Sequence, residues 1–128
     1  MAHLSVIGTR KFLNRDLVFD ILDMFYEDDP FITIRSGGTS KVSQWAEEWA
    51  IINEADWNTR FEYWHKAEED EDYWLQCHAD LLIETDHAVV FWDGECKDTP
   101  KVFDIAREKQ VPMTVILSEH NSNTFEIL

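Results

Sequence analysis

Short β-prone runs and amphipathic helical stretches alternate along the chain, and this alternation limits the accessible folds more than any other feature of the sequence. Leu4-Ser5-Val6-Ile7 reads as a first strand closed by Gly8, which supplies a tight turn. From Asp16 to Tyr26, Leu17, Ile21, Leu22 and Phe25 recur at helical spacing, with Asp20 and Asp23 left to face water, until Glu27-Asp28-Asp29-Pro30 stops the helix. Phe31 to Ile34 predicts a second strand. Ser36-Gly37-Gly38-Thr39-Ser40 follows, and then a helix to about Asn53 whose packed face is Val42, Trp45, Ala46, Trp49 and Ile52. Parallel neighbouring strands need a crossover, usually helical, so the repeated order predicts a mostly parallel sheet with helices on its faces.

The second half repeats the pattern with a weaker start. Ala55 to Lys66 predicts a short third strand inside an aromatic loop, and the acidic run Glu68 to Asp72 opens a helix reaching about Glu84. His87-Ala88-Val89-Val90-Phe91-Trp92 is the clearest buried strand, bounded by the turn signal Asp93-Gly94. Asp98 or Thr99 caps a helix carrying Val102, Phe103, Ile105 and Ala106, with Pro100 tolerated in its first turn. Val111 to Leu117 and Thr124 to Leu128 supply the last strands. The expected fold is therefore α/β, one Rossmann-like three-layer domain over residues 1–128, since that length buries one core and hardly two.

Charge bears on partners. Eleven Lys and Arg against 26 Asp and Glu give a net charge of −15. Repulsion of phosphate backbones and anionic membranes follows, so direct nucleic-acid binding is expected to be unlikely and no membrane partner is expected. A protein partner held through the acidic surface and homo-oligomerisation both stay open, and net charge does not rule out a nucleotide held by local backbone NH groups. Cys77 and Cys96 form no closely spaced pair, the five histidines lack metal-ligand spacing, and no apolar window approaches a span of ~20 residues. These features predict a cytoplasmic protein with neither metal nor cofactor.

In a parallel sheet, ligands collect outside the carboxyl ends of the strands. Those ends are Gly8-Thr9-Arg10, Ser36 to Ser40 and Asp93-Gly94. Glycines let backbone NH groups approach a phosphate; Thr9, Ser36, Thr39, Ser40 and Thr99 offer hydroxyls, and Arg10 and Lys41 offer charge. Asp93 either accepts from a ribose hydroxyl or begins an Asx turn into Gly94. Trp57 and Trp64 offer stacking faces or rim packing, while Glu47 and Glu48 read as a solvated helix face.

Taken in order, Gly8-Thr9-Arg10 with Phe12, Ser36-Gly37-Gly38, Ala46, Trp49-Ala50, Asp56-Trp57, Asp86, Phe91-Trp92-Asp93-Gly94 and Thr99 resemble the YspA-like branch of the SLOG superfamily over roughly residues 4–117. That resemblance implies a Rossmann-like domain binding nucleotides or nucleotide-derived molecules, with relatives that include the LOG phosphoribohydrolases and the DNA-processing protein of natural competence. The chain departs from the pattern where Lys41-Val42-Ser43 replaces Gly-Ala-Asp, Cys77-His78 replaces Arg-Asn and Asp98-Thr99 replaces Gly-Thr. Catalysis is weakened more than binding by these departures. The expected function is a binder or sensor of a nucleotide-derived small molecule. The alternatives are a SLOG-type nucleotide hydrolase, or an acidic interaction inhibitor of viral or mobile-element origin that reuses the fold.

Overall fold

The computed structural model describes residues 3–9, 12, 14–37, 40–59, 71–83, 85–118 and 126–127. Six strands form one sheet: β1 (His3–Gly8), β2 (Thr33–Ser36), β3 (Asp56–Thr59), β4 (His87–Trp92), β5 (Met113–Leu117) and β6 (Glu126–Ile127). Four described helices flank it: α1 (Arg15–Asp28), α2 (Lys41–Ile52), α3 (Glu71–Leu82) and α4 (Thr99–Glu108). The strand order is β3-β2-β1-β4-β5-β6. Pairing is parallel throughout except between β5 and β6. The order reverses between β1 and β4, which makes that junction the topological switch point of the sheet.

Each face of the sheet carries its own core. On one, Leu4, Val6, Ile34, Val89, Phe91 and Ile116 pack with the buried sides of α1 and α2. On the other, Ile7, Ala88, Val90 and Val115 meet α3 and α4. Alternation along β1 and β4 produces this division, because successive side chains leave a strand on opposite faces. Trp49 joins the two helices of the first face: its indole Nε1 donates to Asp23 Oδ1 at 2.8 Å, and Tyr26 meets its ring edge-on. Asp23, expected only to face water, thus anchors a buried tryptophan.

Local chemistry sets the element limits. The Asn14 side chain accepts from Leu17 N at 3.1 Å and starts α1. Ser40 Oγ accepts from Ser43 N at 3.2 Å and starts α2, satisfying an NH that has no partner within the helix. Asp98 occupies the corresponding position of α4 without a side-chain cap, and its carboxylate instead meets Lys101 Nζ at 3.4 Å. The expected strand at Phe31–Ile34 begins two residues later. Phe31 N is held by Asp29 Oδ1 in a turn, and its ring is 71% exposed. β2 instead extends to Arg35 and Ser36, both buried; Arg35 donates to Ile83 O at 2.7 Å and to Thr85 Oγ1 at 3.2 Å. Ile52, expected on the packed face of α2, is 62% exposed, and the buried stripe is Val42, Ser43, Ala46, Trp49 and Ala50.

Candidate functional site

At the switch point, β1 delivers Gly8 and Thr9 beyond the level of its neighbour, since Val6 is the residue paired with Ser36. Thr9 N donates to Phe91 O at 2.9 Å, so β1 stays joined to β4 to its last residue. Phe12 N then donates to Thr9 O at 3.1 Å, turning the chain, and the Phe12 ring packs on Phe91.

Two helix starts meet these residues. A Cβ built on Gly8 would lie 2.3 Å from Val42 Cβ, so the first turn of α2 is pressed onto the backbone of β1. From α4, the first residue, Thr99, places its Oγ1 3.1 Å from Thr9 Oγ1. These threonines are 1% and 3% exposed. Each hydroxyl carries one proton, and a hydrogen bond between them uses only one, so the pair retains a donor for a third oxygen.

A second hydroxyl group lies at the carboxyl end of β2. Ser36 Oγ donates to Glu47 Oε1 at 3.2 Å. Ser40 and Ser43 place their Oγ atoms 3.3 Å apart, and all three serines are buried, as is Gly37. Glu47, expected on a solvated face, is half-buried and turned to Ser36; its separation of eleven residues from Ser36 gave no local signal. Ser43 departs from the family pattern in the sequence, yet its spacing of three from Ser40 is that of a helix cap.

Asp93 has taken the local option. Its Oδ1 accepts from Glu95 N at 2.9 Å and Cys96 N at 3.0 Å, an Asx turn that carries the chain through Gly94 at φ +83°. Trp92 Nε1 donates to Cys96 O across the same loop. Lys41 and Trp57 are exposed. The structure thus brings together Gly8, Thr9 and Thr99, and separately Ser36, Gly37 and Ser40; Arg10, Gly38, Thr39 and Trp64 lie outside the described residues. His87 stands at the opposite end of β4, bonded to Thr114 at 2.8 Å, and burial pushes its pKa below the ordinary histidine value.

No family model and no curated protein matches the chain. A solved structure of similar fold is DNA processing protein A from Helicobacter pylori, described for its unique single-stranded DNA binding mode. The match covers 94% of this chain and 67% of that one, with a TM-score of 0.64 and 15% sequence identity. The fold is Rossmann-like.

This finding corrects the expectation that direct nucleic-acid binding is unlikely. A protein of the same fold binds single-stranded DNA, and net charge is a sum over the whole surface that does not fix the potential inside one crevice. The low expectation drawn from −15 therefore does not stand. Among the described residues, no helix is long and apolar enough to cross a membrane.

Proposed function

We propose that the chain is a YspA-like member of the SLOG superfamily that binds a nucleotide or nucleotide-derived ligand at the carboxyl ends of β1, β2 and β4, as a binder or sensor rather than a hydrolase. The observation that carries this reading is the convergence of two helix starts on Gly8 and Thr9 at the switch point: Val42 of α2 against Gly8, and Thr99 of α4 against Thr9. Helix N-termini carry partial positive charge and unpaired NH groups, which suits an anionic ligand even on an acidic protein. The buried hydroxyls of Thr9, Thr99, Ser36, Ser40 and Ser43 supply hydrogen bonds, and the preference for binding over hydrolysis rests on the departures from the family pattern at Lys41-Val42-Ser43, Cys77-His78 and Asp98-Thr99. Arg10, Gly37, Gly38, Thr39 and Lys41 complete the proposed contact set, while Asp93 and Gly94 shape the loop beside it. The solved structure of DNA processing protein A supports a nucleotide-derived ligand and makes a short single-stranded oligonucleotide one of the candidates.

The test is calorimetric titration and thermal unfolding with nucleoside monophosphates, cyclic dinucleotides and a short single-stranded oligonucleotide. A ligand present at 100 times its Kd adds about 2.7 kcal/mol to apparent stability. Thr9→Val with Thr99→Val replaces both partners of the hydroxyl pair by groups of the same shape, which is close to neutral for folding. Binding should be lost while the melting temperature of the free protein barely moves. Equal binding by the double variant, or no stabilisation by any of these compounds, refutes the site. Product formation on chromatography refutes the noncatalytic reading alone.

A further inference from the structure

We propose that a cleft between the C-terminal half of α1 and the β5–β6 margin docks a segment of another protein that carries both aliphatic and basic side chains. The cleft is lined by Ile21, Met24, Phe25 and Asp28 of α1, Thr114 and Ile116 of β5, and Ile127 of β6. It is separate from the hydroxyl groups at the carboxyl edge and independent of any ligand there. Met24 and Ile127 are each 58% exposed and stand on the two walls of the same cleft, so their apolar surfaces are presented together.

The charge around it selects the occupant. From Asp16 to Ile34 the sequence has no Lys, Arg or His, yet it has Asp16, Asp20, Asp23, Glu27, Asp28 and Asp29. Asp23 is engaged with Trp49, but Asp20, Glu27 and Asp28 stand exposed on the helix beside the cleft. Glu27 and Asp28 close α1 with Asp29 as its C-cap, and its last turn has no basic residue. Negative side chains at the C-terminus of a helix add to the partial negative charge of its free carbonyls, an arrangement that costs stability in the free protein. A basic partner relieves that repulsion while its aliphatic side chains cover Met24 and Ile127. A second copy of this chain would bring the same acids face to face, and is disfavoured for that reason.

Selection from a displayed library of random peptides decides the matter, with Met24→Arg/Asp28→Arg protein as the counter-target. Wild-type protein should enrich segments that combine Lys or Arg with Leu, Ile or Val. Peptides resynthesised from that pool should lose about tenfold or more in affinity for the variant by fluorescence polarisation, a change of about 1.4 kcal/mol. Their binding to wild type should weaken with added salt. Ile127→Arg, on the other wall, should reproduce the loss and stands in if the double variant fails to fold. The same pool on both proteins, basic segments without aliphatic residues, or concentration-dependent self-association abolished by Met24→Arg would each overturn the proposal.

Discussion

Gly8 and Gly94 each follow the apolar run of a central strand, and in the sequence each reads as a turn. In the structure they do different work. Gly94 has φ +83°, a backbone conformation that L side chains rarely adopt, and it is exposed in the Asx turn held by Asp93. Gly8 has no such angle. It is the last residue of β1, and what it lacks is room, because Val42 occupies the space a Cβ would fill. One glycine serves the local path of the chain. The other serves the approach of a helix that begins 33 residues further on, and that approach brings α2 to the switch point.

The contrast predicts its own largest effect. Gly8→Ala should destabilise the protein by about 3 kcal/mol, the upper part of the range for overpacking a closed core, read by chemical denaturation. The conflict is with Val42 Cβ at 2.3 Å as well as with its methyl groups at 2.4 and 2.8 Å. Val42→Ala keeps that Cβ, so it should not rescue Gly8→Ala, whereas Val42→Gly should give a favourable coupling in a double-mutant cycle. Rescue by Val42→Ala would mean that the valine methyl groups, not its Cβ, are what Gly8 accommodates.

Legibility in the sequence follows the same divide between local and distant causes. The bounds of β4, His87 to Trp92, are those predicted, because an uninterrupted apolar run ended by Asp-Gly carries its own limits. β2 was displaced because its last buried residues, Arg35 and Ser36, are polar, and their partners Ile83, Thr85 and Glu47 lie far off in the chain. The carboxyl ends of β1 and β4 were legible, and so were the hydroxyl residues beside them. The contact between Thr9 and Thr99 was not, since it spans 90 residues and depends on strand order. Of the two readings of Asp93, the Asx turn is formed through Oδ1.

A smaller effect separates the turn glycine. Gly94→Ala should cost about 1 to 2 kcal/mol, the usual penalty for an L residue in the left-handed region. Packing adds little: the nearest atom to a Cβ there is Leu117 Cδ1 at 3.1 Å, the mobile end of a side chain. Leu117→Ala should therefore leave the Gly94→Ala penalty nearly unchanged in a cycle, and Gly94→Asn should cost less than Gly94→Ala because asparagine tolerates this region better. A penalty for Gly94→Ala as large as that for Gly8→Ala would erase the distinction between the two positions.

The smallest effect falls on Asp93, whose carboxylate holds the turn through which Gly94 passes. Replacing it by alanine removes the acceptor for Glu95 N and Cys96 N, and about 1 kcal/mol of stability should go with those two bonds. Asparagine retains a side-chain oxygen at the same position and forms the same class of turn, so Asp93→Asn should be nearly neutral in denaturation. The pair of substitutions also bears on the ligand. If Asp93 acts only by shaping the loop, Asp93→Asn binds nucleotide as the parent does and Asp93→Ala binds it more weakly. If the carboxylate itself touches the ligand, binding falls in both variants while only one of them is destabilised.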